Sequence, residues 1–124
     1  IVAAGIPLHE SLAAADSLSD RGISARVIDL YSIKPIDSAT LRTAAEETGR
    51  LMTVEDHWAE GGLGDAVLDV FAGTDVRPMI VKLAVRDMPG SGTPAELLSA
   101  AGIDAAHIAD AARRVVADPA ESSA

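Results

Sequence analysis

The feature that most constrains the fold is the alternation of short, β-branched apolar runs with longer segments of helical periodicity. The apolar runs lie at residues 1–4, 25–30, 51–54 and 79–85, and each is short enough to form a buried strand. Strands that alternate with helices are joined by right-handed crossovers and form a mainly parallel sheet. The pattern therefore predicts a three-layer α/β domain, with helices on both faces of a mostly parallel sheet.

Local signals mark the predicted helices. The core-facing side of the first helix is predicted to comprise Leu8, Leu12, Ala15 and Leu18. Glycines that can adopt a left-handed conformation are expected to end the first three helices, and these are Gly22, Gly49 and Gly73.

Three later residues are predicted N-caps, because their side-chain oxygens can accept hydrogen bonds from the first helical turn. These are Asp37, Thr93 and Asp104. Thr93 and Glu96 also have the spacing of a capping box, with Pro94 at the first helical position. The starts of these three helices are therefore well marked in the sequence.

Length, charge and cysteine content exclude several classes of protein. A chain of 124 residues fits one domain. Its net charge of -9, with no cluster of Lys or Arg, argues against nucleic acid and anionic membrane surfaces as partners. The absence of cysteine excludes disulfides and thiolate metal sites.

Neither a membrane-spanning run nor an export signal is found in the sequence, so we expect a soluble, cytoplasmic protein. The strand-like start without an initiator Met suggests that the chain begins inside a larger polypeptide. We expect one folded domain over residues 1–116 and a flexible tail over residues 117–124.

The stretch most suggestive of function covers residues 55–65, EDHWAEGGLGD. Glycines at a helix start could hold a phosphate, but the acidic residues would repel one, and neither GxGxxG nor a Walker motif is present. The favoured interpretation is that the glycines allow close backbone approach in a strand-to-helix turn. We interpret four residues here as a possible interface: His57, Trp58, Gly61 and Gly62.

Other candidate sites are weaker. Glu55, Asp56 and His57 are not expected to bind a metal ion together, because adjacent residues of a strand point in alternate directions. Arg86 and Ser91 form a weak candidate anion site, although an ion pair of Arg86 with an acidic residue is the favoured alternative. No GxSxG nucleophile motif is present, and no catalytic, cofactor-binding or metal-binding residue is assigned.

Four stretches, in this order and spacing, resemble the C-terminal domain of transketolases. They are GIPLHESLAAA at 5–15, RVIDLYSIKPID at 26–37, TVEDHWAEGGLG at 53–64 and PGSGTPAELL at 89–98. Deoxyxylulose-phosphate synthases and 2-oxo-acid dehydrogenase beta subunits have related domains, and residues 86–98 favour transketolase among them.

This resemblance implies a dimeric enzyme of the pentose phosphate pathway that transfers two-carbon ketol units between sugar phosphates. It implies thiamine diphosphate and Mg²⁺ as cofactors, held by two preceding domains or a separate subunit. Their Gly-Asp-Gly…Asn motif has no counterpart here, since residues 64–66 only superficially resemble its start. The resemblance therefore implies a supporting, dimer-stabilising domain that binds no cofactor and is inactive alone.

Two alternatives stay open at this point. The chain could be an autonomous ligand-binding or regulatory module that uses residues 61–64 and the loop at Arg86. It could also belong to a related thiamine-dependent enzyme, or be a different enzyme of the same sheet class, although no pair of nucleophile and base is found for the latter.

Overall fold

The computed structural model describes residues 1–118, and strands and helices alternate through most of this range. The elements are β1 (Val2–Ala3), α1 (Ile6–Ser19), β2 (Ile28–Asp29), α2 (Ser38–Thr48), β3 (Arg50–Trp58), α3 (Leu63–Phe71), β4 (Met79–Val85), α4 (Pro94–Ala101) and α5 (Ala105–Ala117). Strand β2 is shorter than the apolar run that predicted it. Strand β3 is longer, because its backbone pairing with β4 resumes at Trp58 after an irregularity that follows Val54.

The four strands form one parallel sheet in the order β2-β1-β3-β4. Strand β1 lies inside the sheet, with Val2 opposite Ile28 on one side and Thr53 on the other. Because all strands run in one direction, their carboxyl ends meet at one edge of the sheet. This arrangement confirms the predicted parallel α/β architecture.

Helices cover both faces of the sheet. Met52 and Val54 of β3 lie in a core with buried residues of α1 and α5, and α4 packs against this core through partly buried Leu98. The neighbouring Leu51 lies in a second core, with residues of α2 and α3. Successive strand residues thus face opposite layers, as the pleat of a strand requires, and the predicted three-layer arrangement is confirmed.

The predicted core face of α1 was partly wrong. The residues that the helix buries are Pro7, Ser11, Ala14 and Leu18. Leu12 is 48% exposed, and only Leu18 of the predicted set is fully buried. The buried side contains small residues because α1 packs closely against α5, whose own contact surface consists largely of alanines, Ala109 and Ala111 among them.

The N-cap predictions are confirmed. The Asp37 carboxylate accepts from the N–H of Thr40 at 3.1 Å, and the Asp104 carboxylate accepts from the N–H of His107 at 2.9 Å. Thr93 and Glu96 form the reciprocal capping box. Of the three predicted stop glycines, Gly49 is the left-handed C-cap of α2. Helices α1 and α3 instead have their C-caps at Asp20 and Ala72, and the positive-φ residues Gly22 and Gly73 follow just after them.

The end of α5 lies slightly beyond the predicted domain boundary. The N–H of Asp118 still donates to the carbonyl oxygen of Arg114, so helical bonding continues through Ala117. The Asp118 carbonyl oxygen also accepts from the Arg50 guanidinium at 2.6 Å. The boundary expected after residue 116 therefore falls within α5, and residues 119–124 of the predicted tail lie outside the described residues. Of the helices in residues 1–118, none has the length and apolar character needed to cross a membrane.

Candidate functional site

The turn between β3 and α3 is organised around the side chain of Glu55. This residue is only 4% exposed. One carboxylate oxygen accepts from the N–H of Leu63 and the other from the N–H of Gly64, both at 2.8 Å. N–H groups in the first turn of a helix have no partner within the helix, and its positive dipole end favours an anion. The Glu55 carboxylate therefore caps the N-terminus of α3 and supplies the negative charge that this helix end favours.

This contact decides what the glycine-rich turn can bind. A phosphate at the start of α3 would need the same N–H groups that Glu55 already occupies. It would also meet the negative charge of that carboxylate in a buried position. The geometry thus supports the interpretation that the turn is structural rather than a phosphate site.

Two glycines leave room for the Glu55 carboxylate. A Cβ placed on Gly62 would lie 1.9 Å from Oε1 of Glu55 and 2.6 Å from Nδ1 of His57. A Cβ on Gly64 would lie 3.0 Å from Oε2 of Glu55 and 2.9 Å from Cε of Lys82. The carboxylate and the lysine stem approach the backbone so closely that larger residues would displace them. The glycine pattern in the sequence is explained by this close approach.

Asp65 and Lys82 form a second contact across the same turn. The Lys82 ammonium donates to Oδ1 of Asp65 at 2.6 Å, and the N–H of Gly61 donates to Oδ2 at 2.5 Å. The hydrogen bond from Lys82, followed by the one from Gly61, lowers the pKa of Asp65 below its usual value of 3.8. Lys82 lies 17 positions from Asp65 in the sequence and reaches the turn from β4, so no residue next to the turn signals this contact.

The four predicted interface residues lie next to one another along the chain: His57 and Trp58 end β3, and Gly61 and Gly62 belong to the turn before α3. His57 is exposed, and its Nδ1–H donates to the carbonyl oxygen of Trp58 at 2.8 Å. Trp58 is 41% exposed. Gly61 is exposed with a φ of 78°, and Gly62 is half-buried. The structure therefore brings the four residues together and leaves the imidazole and part of the indole accessible.

The acidic and imidazole groups of β3 do not assemble a metal site. Glu55 and His57 are on one side of the strand, with 3.6 Å between Oε1 and Nδ1, whereas Asp56 is exposed next to them. Within residues 1–118 no group of three His, Cys, Asp or Glu side chains could hold a metal ion.

The weak anion candidate does not form a defined pair of ligands. The Arg86 guanidinium donates to the carbonyl oxygen of Lys82 at 3.1 Å, within the same stretch of chain, instead of to a carboxylate. Ser91 is exposed in the loop that follows. The other histidines are at the surface: His9 is exposed on the first turn of α1, and His107 lies 2.5 Å from Oδ1 of Asp104 at the start of α5.

Thiamine diphosphate and Mg²⁺, implied by the resemblance for a whole enzyme, do not fit the described residues of this chain. The glycine-rich helix start that could receive a diphosphate is filled by the Glu55 carboxylate. The acidic residues nearby are not grouped as an Mg²⁺ site would require. No chemical step through these groups can be derived from this domain.

Comparisons with known proteins agree on one relationship. The family model described as "Transketolase, C-terminal domain" matches residues 1–108. Transketolase-like protein 1 of Bos taurus is 50% identical over 119 residues, which cover 94% of this chain and 20% of that protein. Transketolase of Homo sapiens is 44% identical over 117 residues, which cover 94% of this chain and 19% of that protein.

A solved structure described as "Split gene transketolase, inactive beta4 tetramer" is also similar. It has a TM-score of 0.84 and 37% sequence identity, over 93% of this chain and 37% of that chain. The present chain spans about a fifth of the length of the curated relatives named above.

Proposed function

This chain belongs to the transketolase C-terminal domain family, and from that premise we propose that it is the supporting, dimer-stabilising C-terminal domain of a thiamine-diphosphate-dependent transketolase. The whole enzyme transfers a two-carbon ketol unit between sugar phosphates. Thiamine diphosphate and Mg²⁺ are held by other domains or by a separate subunit. The present domain supplies no reacting group and stabilises the assembly.

The observation that carries this proposal is the engagement of Glu55. Its two carboxylate oxygens each accept a backbone N–H from α3, and its side chain is buried. A carboxylate used in this way joins β3 to α3 and is not available to accept a proton from a substrate. The glycine-rich motif at residues 55–65 thus has a structural role, because its buried carboxylate fixes the turn between β3 and α3. A structural role of this kind is consistent with a supporting domain.

The oligomeric part of the proposal has separate support. A similar solved chain is described as a tetramer, so a homologous domain occurs in an assembled protein. In addition, Trp58 is partly exposed at the end of β3, beside the turn that Glu55 holds, and tryptophan is enriched in interface cores. We therefore propose that the enzyme is at least a homodimer.

The test is to compare the complete gene product with the 124-residue chain in one assay. Transfer of a ketol unit from a ketose phosphate to an aldose phosphate is followed with thiamine diphosphate and Mg²⁺ present. We expect turnover by the complete product, or by this chain joined with its thiamine-binding subunit, and no turnover by the chain alone. Turnover by the isolated chain would contradict the supporting role, and an inactive complete assembly would contradict the assignment to transketolase.

Sedimentation velocity of the complete product tests the oligomeric part. We expect a dimer or larger species, and removal of residues 1–124 should shift it towards smaller species. An active monomer would exclude a dimer-stabilising role.

A further inference from the structure

Helix α4 and the loop before it are held loosely by the rest of the domain. We call residues 87–101 the strap. Every residue from 87 to 96 is exposed, and no residue of α4 is fully buried. The half-buried residues of the strap are Leu97, Leu98 and Ala101. The strap therefore contributes little apolar surface to the cores, and segments with few buried apolar contacts open at low free energy.

The hydrogen bonds of the strap are local. At the end of α4, the N–H of Gly102 donates to the carbonyl oxygen of Ser99, and the N–H of Ile103 donates to that of Leu98, both at 3.0 Å. The capping box closes the other end of the helix on itself. Within residues 1–118, no hydrogen bond joins the strap to β4, α1 or α5. Between its two ends, the strap is thus held by side-chain packing alone.

That packing is incomplete. A groove with a volume of about 820 Å³ lies between α4, β4 and α5, and Leu97 is part of its wall. Because no side chain of the described residues fills this space, α4 contacts the domain along only part of its surface. The remaining contact is made by Leu98 and Ala101, which pack against the core that contains Ala111 of α5.

Once undocked, α4 should not remain helical. It has eight residues, whereas isolated helices shorter than about 12 residues are marginal in water. The capping box stabilises the first turn, but it adds no contact to the rest of the domain. Loss of packing and loss of the helix are therefore one event, which exposes the backbone N–H groups of α4 to water.

The core under the strap has other supports. Ile103, just after α4, is 1% exposed and anchors the chain before α5 begins. Ile108 of α5 shares its core with Met52 and Val54 of β3. Helix α1 packs against α5 from the side away from β4, with buried Ala14 and Leu18 in the same core. Helix α5 can therefore stay in place when the strap opens.

We propose that the strap opens as a unit while both cores stay folded, and that it controls access to the apolar surface of α5 beneath α4. This inference is carried by the contacts of α4 and does not depend on ketol transfer. Ala111 lies in the wall of the groove but is only 4% exposed. A molecule that reaches Ala111 must therefore meet the domain with the strap open, and its binding would increase the population of that state.

Native-state amide hydrogen exchange tests the opening. It is measured on the 124-residue chain, since both cores lie within residues 1–118. We expect the amides of residues 95–101 to exchange at least about a hundredfold faster than those of residues 51–54 in β3. Low concentrations of urea should accelerate exchange in β3 but not in α4, because opening of the strap exposes little surface. Equal rates with the same urea dependence would overturn the proposal.

Thiol labelling tests whether the opening uncovers the core. The chain has no cysteine, so one introduced thiol can be followed alone. Ala111→Cys lies beneath α4 and Ala45→Cys lies in the other core, and the two alanines are similarly buried, at 4% and 3% exposed. In native buffer, Ala111→Cys should react at least about tenfold faster, because only Ala45→Cys requires a core to open. Each rate is compared with the unfolding equilibrium of the same variant, measured in urea. Equal rates after this comparison would contradict the proposal.

A substitution in α4 should link the two measurements. Leu98→Ala removes packing but not helix propensity, since alanine is the best helix former. It should accelerate exchange in α4 and labelling of Ala111→Cys by about tenfold, and should leave labelling of Ala45→Cys unchanged. Leu68→Ala, at an exposed position on α3, is the control and should change none of these rates. Equal acceleration at both cysteines by Leu98→Ala would show that α4 opens only with the whole domain, and would overturn the proposal.

Discussion

At the scale of single residues, the Glu55 carboxylate and the two glycines beside it depend on one another. The carboxylate accepts the N–H groups of Leu63 and Gly64, and the absence of a side chain at Gly62 leaves the space that it occupies. The nearby exposed residues, Asp56 among them, are not involved in this contact. Changes at Glu55 and Gly62 should therefore affect stability far more than changes at their neighbours.

Glu55→Gln should lower the free energy of unfolding by about 2 kcal/mol, because the amide can accept only one of the two N–H groups and turns a donor towards the other. Asp56→Asn is the matched control and should change it by less than about 0.5 kcal/mol, since Asp56 is exposed. Urea denaturation of the 124-residue chain measures both. Equal effects of the two substitutions would show that Glu55 does not bridge β3 and α3.

Gly62→Ala should destabilise the chain by about 2 kcal/mol or more, because its Cβ would overlap the Glu55 carboxylate and force it from its hydrogen bonds. Gly90→Ala is the control, since no atom lies within 4 Å of a Cβ there and its φ is not in the left-handed region. The double substitution with Glu55→Gln should cost less than the sum of the two, because both remove the same contact. Strictly additive losses in urea denaturation would contradict this coupling.

Asp65 gives a pH-dependent prediction. Hydrogen bonds from Lys82 and Gly61 lower the pKa of its folded form below the usual 3.8, so the carboxylate stabilises the fold above that value. This stabilisation is lost as pH falls through the lowered pKa. The difference in unfolding free energy between wild type and Asp65→Asn should thus be largest at neutral pH and shrink below about pH 4. Urea denaturation at several pH values measures it, and a difference independent of pH would exclude the Lys82 contact as its source.

At the scale of helices and strands, sequence signals with a local cause were the most predictive. The caps at Asp37, Thr93 and Asp104 involve bonds within one turn, so the identity of a few adjacent residues is enough to place them. The buried face of α1 depends instead on how closely α5 approaches, which favoured Ser11 over Leu12. No pattern within α1 alone contains that information.

The difference between local contacts and contacts of distant segments also explains why the roles of Glu55 and Lys82 at the candidate site were not predicted. The glycines and acidic residues of the turn after β3 were recognised from the sequence, but the bidentate role of Glu55 requires knowledge that β3 continues past Val54. Alternation along that longer strand puts Glu55 on the face of Leu51, where α3 packs, and this was the available signal. Lys82 could not be found in this way, because parallel pairing of β3 with β4 brings it to Asp65.

The helix α4 should depend strongly on its capping box. It has eight residues and none of them is fully buried, so packing contributes little to it. Thr93→Ala removes the hydroxyl that accepts from the N–H of Glu96 at 3.2 Å, and should destabilise the helix by about 1 kcal/mol. Amide hydrogen exchange in Pro94–Ala101 should then be faster, whereas Thr93→Ser should retain the wild-type rates. Unchanged amide exchange in Thr93→Ala would show that the stability of α4 does not depend on the capping box.

At the scale of the whole molecule, two cores are separated by one thin sheet. One core contains Ala3 and Ile108, and the other contains Val2 and Leu41, so strand β1 contributes to both. Because adjacent residues of the same strand belong to opposite cores, loss of packing on one face must affect the other. We therefore expect the domain to unfold as one unit.

Leu41→Ala and Ile108→Ala test this coupling. Each residue is fully buried, one in each core, and truncation of either should cost about 2–5 kcal/mol. In both variants, far-ultraviolet circular dichroism and Trp58 fluorescence should report the same urea midpoint. Two separate transitions in either variant would show that the cores are independent.

The contact between α1 and α5 joins the two ends of the described chain. Their side chains share one core, and a carboxylate oxygen of Glu10 accepts from the N–H of Ala105 at 2.9 Å, across 95 positions of sequence. During translation, the face of the sheet that packs against α1 and α5 can therefore be fully covered only after α5 has left the ribosome. Until then the nascent chain exposes apolar surface of that core, and its native structure can form only after nearly all of the described domain has been synthesised.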